Sequence, residues 1–189
     1  MKSTGNTMLR RSLKIGIVLA LLLTSVASFK LAKTSAEVKA GQMPGDKVSH
    51  QSFSTTDGKR FSLDANRGKV VVVQFFGTWC GYSRRQVPSI NQLVDQFGGK
   101  GLEVVGMAVK DARSNSQLVS QFITDQKVTY PVVGGVDDKY FMGFVDSGDV
   151  SVPQTLIYGK DGRLAGHYKG FNQQVADEIA LKVSEQMGK

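Results

Sequence analysis

A single cysteine, Cys80, is all the thiol that the 189-residue chain holds. One cysteine cannot close an internal disulfide, so the fold is not held by a disulfide framework. Only two histidines are present, His50 and His167, far apart and without cysteines or carboxylates at metal-ligand spacing. A metal site is therefore not expected, and both histidines read as surface or turn residues. No Gly-Lys pair has the upstream glycine of a phosphate-binding loop. No repeat, low-complexity tract or long charge run interrupts the chain, and its length suits one ordinary core.

What is present begins with charge. The formal balance is +8, yet six of the 24 basic residues (Lys2, Arg10, Arg11, Lys14, Lys30 and Lys33) fall in the first 36 residues, where no acid occurs. The remainder holds 18 bases against 16 acids, too even a mixture to form a nucleic-acid footprint, and no nucleic-acid partner is expected. The basic start followed by an uncharged, mostly apolar run over 15–29 has the order of an export leader. That run is shorter than the roughly 20 residues of a spanning helix. Ser25-Val26-Ala27 offers small residues where a signal peptidase reads, so cleavage after Ala27 is expected, with a retained membrane tether through 15–29 as the alternative. Either route places the domain on the periplasmic or extracytoplasmic side. The division expected is a leader or signal anchor over 1–36, a linker over 37–46 and one folded domain over 47–189.

Within that domain, Gln51 to Leu63 reads as two short strands around the turn dipeptide Asp57-Gly58. Val70-Val71-Val72-Val73-Gln74-Phe75-Phe76 is a β-branched and aromatic run, the pattern of a central strand buried on both faces. Apolar residues at Val87, Ile90, Leu93, Val94 and Phe97 mark a helix over 83–97, kinked at Pro88 and ended by Gly98 and Gly99. Further strands are predicted over 102–109, 154–158 and 164–169, with a short extended piece over 130–133. Helices are predicted over 114–127, 137–145 and 172–187, with Asp137-Asp138 at a helix start. The fold class is α/β: a mixed sheet flanked by helices, with an N-terminal hairpin extension.

Cys80 stands where the central strand gives way to a helix. There the helix dipole and unpaired backbone N–H groups favour thiolate over thiol, which argues for a reactive cysteine rather than core filler. Arg84 and Arg85 follow directly; their plain reading is a solvated helix face, the other an attraction for an acidic partner or further support of the thiolate.

The segment Phe75-Phe76-Gly77-Thr78-Trp79-Cys80-Gly81-Tyr82-Ser83-Arg84-Arg85-Gln86-Val87-Pro88 resembles the active-site segment of the TlpA/ResA-like branch of thioredoxin-fold proteins. Ser151-Val152-Pro153-Gln154-Thr155 and the turn Lys160-Asp161-Gly162 are similar to that family's cis-proline segment and the hairpin after it. The resemblance implies a thioredoxin-like fold and thiol–disulfide oxidoreductase chemistry without a cofactor. It makes Cys80 the attacking thiol, Trp79 its shield on one side, and Pro153 a cis residue packed beside it. The backbone of Val152 would be open to pair with a substrate strand.

Two departures bear on activity. The family's second cysteine is Ser83, which cannot resolve a mixed disulfide. Its usual glutamate is Gln86, which can exchange hydrogen bonds but not a proton near neutral pH. The motif Trp79, Cys80, Gly81, Tyr82, Ser83 and Gln86 thus supports monothiol exchange, with cysteine-containing exported proteins as clients and an external thiol as reductant. The alternative is a redox-inert module that keeps the groove at Val152 and Pro153 for docking peptides or partner proteins of the cell envelope. A peroxidase would carry Pro-x-x-x-Thr-x-x-Cys, and Val73 and Gly77 occupy those places.

Overall fold

The computed structural model describes residues 49–109, 115–145 and 149–189, all within the unit Ser35–Lys189. The expected leader and linker lie outside the described residues. Element order is β1 (Phe53–Ser54), β2 (Arg60–Phe61), β3 (Val70–Phe76), α1 (Gly81–Phe97), β4 (Leu102–Val109), α2 (Ser116–Asp125), β5 (Val132–Val136), α3 (Asp138–Val145), β6 (Gln154–Tyr158), β7 (Leu164–Lys169) and α4 (Gln173–Met187).

Strands β3 to β7 form one sheet in the order β5-β4-β3-β6-β7, so the most apolar strand occupies the centre. β3 pairs parallel with β4 and antiparallel with β6, and β4 pairs parallel with β5. Alternation along β3 distributes its side chains to two cores. Val71, Val73 and Phe75 pack with Phe53 and Phe61 of the hairpin and with Phe141 and Phe144 of α3. Val70 and Val72 meet Ile90 and Leu93 of α1 and Ile179 and Val183 of α4. Phe76 continues that second face against Val87 and α2, its ring stacked on Phe122 at 4.6 Å.

The predicted hairpin forms, with Phe53 opposite Phe61 and Gly58 in the left-handed region at φ 82°. Its turn is fastened by Asp57, which accepts from the Thr55 hydroxyl at 2.5 Å; that bond, then one from Lys59, draws its carboxyl down to about 2. Thr56 N donates to Val132 O at 2.7 Å, which ties the hairpin to β5, an edge strand.

α1 buries Ser83, Gln86, Val87, Ile90 and Leu93, a three-and-four spacing that makes one face. It continues through Pro88, which is exposed and lacks the N–H that would bond to the carbonyl of Arg84. Asn115 and Asn172 cap α2 and α4, accepting from the N–H groups of Leu118 and Val175. The extended piece expected over 130–133 becomes the strand β5 from Val132 to Val136, preceded by the buried Tyr130 and by Pro131, which has no N–H to give to a ladder.

Candidate active site

β3 ends at Phe76 and the chain turns through Gly77-Thr78-Trp79 to present Cys80 as the N-cap of α1, at φ −85° and ψ 115°. The backbone of Cys80 is engaged at both ends: its N–H donates to Gly77 O at 3.0 Å and its carbonyl accepts from Arg84 N at 3.2 Å. The side chain makes no cap bond, is half-buried, and donates its thiol to Val152 O at 3.4 Å. Val152–Pro153 is a cis peptide, and Pro153 is buried. Trp79 and Val152 both pack on the core that holds Phe75 and Phe141. Gly77 leaves room for the indole: a Cβ there would lie 2.8 Å from two ring atoms of Trp79.

Ser83 and Gln86 lie one and two turns further on, fully buried. Ser83 Oγ accepts from Gly77 N at 3.4 Å, so the hydroxyl secures the turn behind the thiol. Gln86 belongs to a chain of neutral hydrogen bonds running across the sheet. Tyr130 OH donates to Gln74 Oε1 at 2.5 Å, Gln74 Nε2 to Gln86 Oε1 at 2.9 Å, and Gln86 Nε2 to Thr155 Oγ1 at 3.0 Å. Burial pushes the Tyr130 phenol well above its ordinary range, against a smaller opposing effect of Gln74. No member of this chain gains or loses a proton near neutrality.

The cis-proline segment is braced from the opposite face of the sheet. Gln154 Nε2 donates to Asp149 O at 2.9 Å and Ser151 O at 2.8 Å, and its Oε1 lies 2.7 Å from His167 Nε2. Asp149 pairs with Lys169 at 2.7 Å and accepts from Ser151 N at 3.0 Å. The lysine bond, then that backbone bond, holds its carboxyl below the usual carboxylate range. His167 is half-buried on β7 rather than a surface residue, because the imidazole fills the space beside Gln154. Burial first, then Lys169, lowers its pKa, with Asp149 opposing. His50 is exposed, as expected, and pairs with Asp64.

Of the residues singled out in the sequence, Cys80, Trp79, Val152 and Pro153 gather at one point, with Ser83 and Gln86 beneath. Gly81 and Tyr82 face solvent; Tyr82 is 54% exposed, with the Arg85 guanidinium 4.4 Å from its ring centroid. Sequence reasoning missed Gln74, Tyr130, Gln154, Asp149 and the role of His167. Gln74 alone carried a signal, as a polar residue inside an otherwise apolar strand. Among the described residues no cluster suits a metal ion, and no helix is long and apolar enough to cross a membrane.

Comparison with known proteins agrees with this geometry. The family model AhpC/TSA matches residues 44–170. Thiol-disulfide oxidoreductase ResA of Bacillus cereus is 24% identical over 178 residues, 93% of this chain and 98% of the relative. Thioredoxin-like protein YneN of Bacillus subtilis is 26% identical over 145 residues, 77% of this chain and 82% of that one. A crystal structure of a thioredoxin-family thiol:disulfide interchange protein from Chlorobium tepidum TLS superposes with a TM-score of 0.64 at 26% identity, covering 81% of this chain and 100% of the other. The chain therefore belongs to the AhpC/TSA family, with a thioredoxin-like fold and relatives named as ResA-type thiol–disulfide oxidoreductases.

Proposed function

We propose that the protein is an exported thiol–disulfide exchange protein that works through Cys80 alone. The observation that carries this reading is a half-buried thiol on a helix N-terminus, 3.4 Å from the carbonyl before a cis-proline, with a buried serine in place of a second cysteine. The Cys80 thiolate attacks one sulfur of a client disulfide. A Cys80–client disulfide forms, and the client's other sulfur leaves with the bonding electron pair and takes up a proton. Once the thiol proton is gone, Val152 O loses its partner and becomes available to an N–H of the client strand. Ser83 cannot attack the adduct, so release awaits an outside thiol and is bimolecular. Trp79 screens one side of the sulfur. Gln86 holds the helix to Thr155 without moving protons.

The leader over 1–36 supports action on the outer side of the membrane, on cysteines of other exported proteins, with 47–189 as the working domain. The test is to quench cells expressing the full chain with acid, block free thiols, and separate disulfide adducts by mass. Adducts should form with the wild-type chain and vanish in Cys80→Ser. A Ser83→Cys chain should shed them faster, because resolution becomes intramolecular. Absence of adducts, together with inertness of the folded protein toward an aromatic disulfide, would overturn the reading.

A further inference from the structure

The surroundings of the thiol are uneven in polarity and in charge. Five large apolar side chains are exposed among the described residues, and three belong to segments that border Cys80. Tyr82 follows it by two residues, Val150 precedes the Val152 carbonyl that it bonds, and Leu118 lines a cavity shared with Trp79. That cavity, about 370 Å³, lies between the start of α1 and one face of α2, where Leu118, Gln121, Phe122 and Asp125 recur at three-and-four spacing. Arg84 forms part of its wall, anchored by two N–H bonds to Thr78 O at 2.9 and 3.3 Å, so the cation is held in position. Arg85 is held over the Tyr82 ring. α1 carries no acid before Asp95, and the first turn contains none. Asp125 is the cavity's one carboxylate, set against the Arg84 guanidinium in the same wall, while Arg85 adds a second cation outside the cavity, near the start of α1.

We infer that the protein selects clients whose reactive cysteine is flanked by acidic residues and by one large apolar side chain, the acids facing Arg84 and Arg85 and the apolar group entering the cavity beside Trp79. This rests on the thiol-exchange reading and names its substrate class. Apolar rings and guanidinium groups of this kind are what protein interfaces concentrate, and opposite charge raises encounter rates. Because Thr78 O and the Tyr82 ring already hold the two guanidinium groups, less side-chain freedom is lost when a carboxylate pairs with them.

The test uses the full chain and short cysteine peptides activated as pyridyl disulfides. Cys80 attacks the peptide sulfur, a Cys80–peptide disulfide forms, and pyridine-2-thione leaves with the electron pair and gives the signal. One peptide carries leucine and two glutamates beside the cysteine, a second has lysines for the glutamates, and a third has glycine for the leucine. Each protein's rates are divided by its own rate with uncharged dipyridyl disulfide. The glutamate peptide should react about tenfold faster than the lysine peptide at low ionic strength, and the ratio should collapse in about 1 M salt. Arg85→Glu should cancel or invert the charge preference, and Leu118→Gln should remove the preference for leucine over glycine. Equal peptide rates in a protein that consumes dipyridyl disulfide would overturn this inference alone. Inertness toward dipyridyl disulfide would remove the exchange reading and this one with it.

Discussion

The side chains around Cys80 divide into those that touch the sulfur and those that hold the touching groups in place. Gln86 and Gln154 are the principal supports. Each is buried and each uses both ends of its carboxamide, Gln86 beneath the helix and Gln154 beneath the cis-proline segment. A glutamate at position 86 could still take the bond from Gln74 but, ionised, could not donate to Thr155. His167 is the one group in this set whose ordinary pKa lies near neutrality. Its lowered pKa means the unfolded chain binds a proton more readily than the folded one. Stability is therefore full above the ordinary value of 6.5 and declines as pH falls through it toward the lower folded value. His167→Gln should keep a hydrogen bond to Gln154 and flatten that decline between about pH 7 and pH 5 in urea titrations. Asp149 acts in the same direction at lower pH, below the ordinary carboxylate value of 3.8. A wild-type profile as flat as the variant's would show that the imidazole is not held neutral by burial.

Among the strands and helices, β3 follows directly from composition, because a β-branched run without a charge has to be covered on both faces. The hairpin, α1 and β6 also stand where their turn signals and periodicity put them. The extended piece over 130–133 becomes a strand only from Val132. Pro131 has no N–H to give to the ladder, so pairing with β4 starts at Val132, and the Tyr130 side chain before it turns into the core, where its hydroxyl bonds Gln74. Gly106 of β4 makes this possible, since a Cβ there would lie 3.0 Å from the Tyr130 ring and 3.1 Å from that of Phe76. Gly106→Ala should lower unfolding free energy by about 1–3 kcal/mol, the usual penalty for overpacking a filled core. Gly134→Ala, where a Cβ would meet nothing within 4 Å, is the control and should melt close to wild type. Equal melting of the two variants would mean that the Tyr130 ring moves aside without loss.

Taken as one molecule, the protein carries most of its net charge ahead of the residues that hold the thiol. The excess of basic residues belongs to the first 36 positions, while the rest is nearly balanced and carries both cores and the thiol. A chain of residues 47–189 should accordingly fold in one cooperative transition and react with dipyridyl disulfide at the full-length rate. A broadened melt, or a rate several-fold lower, would show that the leading segment takes part in the fold or the site.

Sequence by itself determined the fold class, the central strand, and Cys80 at the mouth of a helix, because these depend on local periodicity and on where an apolar run stops. It also settled what Ser83 and Gln86 cannot do, since that follows from their functional groups. Tertiary structure decided the rest. The contact between Cys80 and Val152, the chain from Tyr130 to Thr155, and the brace of Gln154, His167, Lys169 and Asp149 each join residues from separate strands and loops. Hydrogen bonds of that kind leave no periodic trace: the register of β6 beside β3 and β7, and the placing of β5 across β4 from β3, bring their partners within reach.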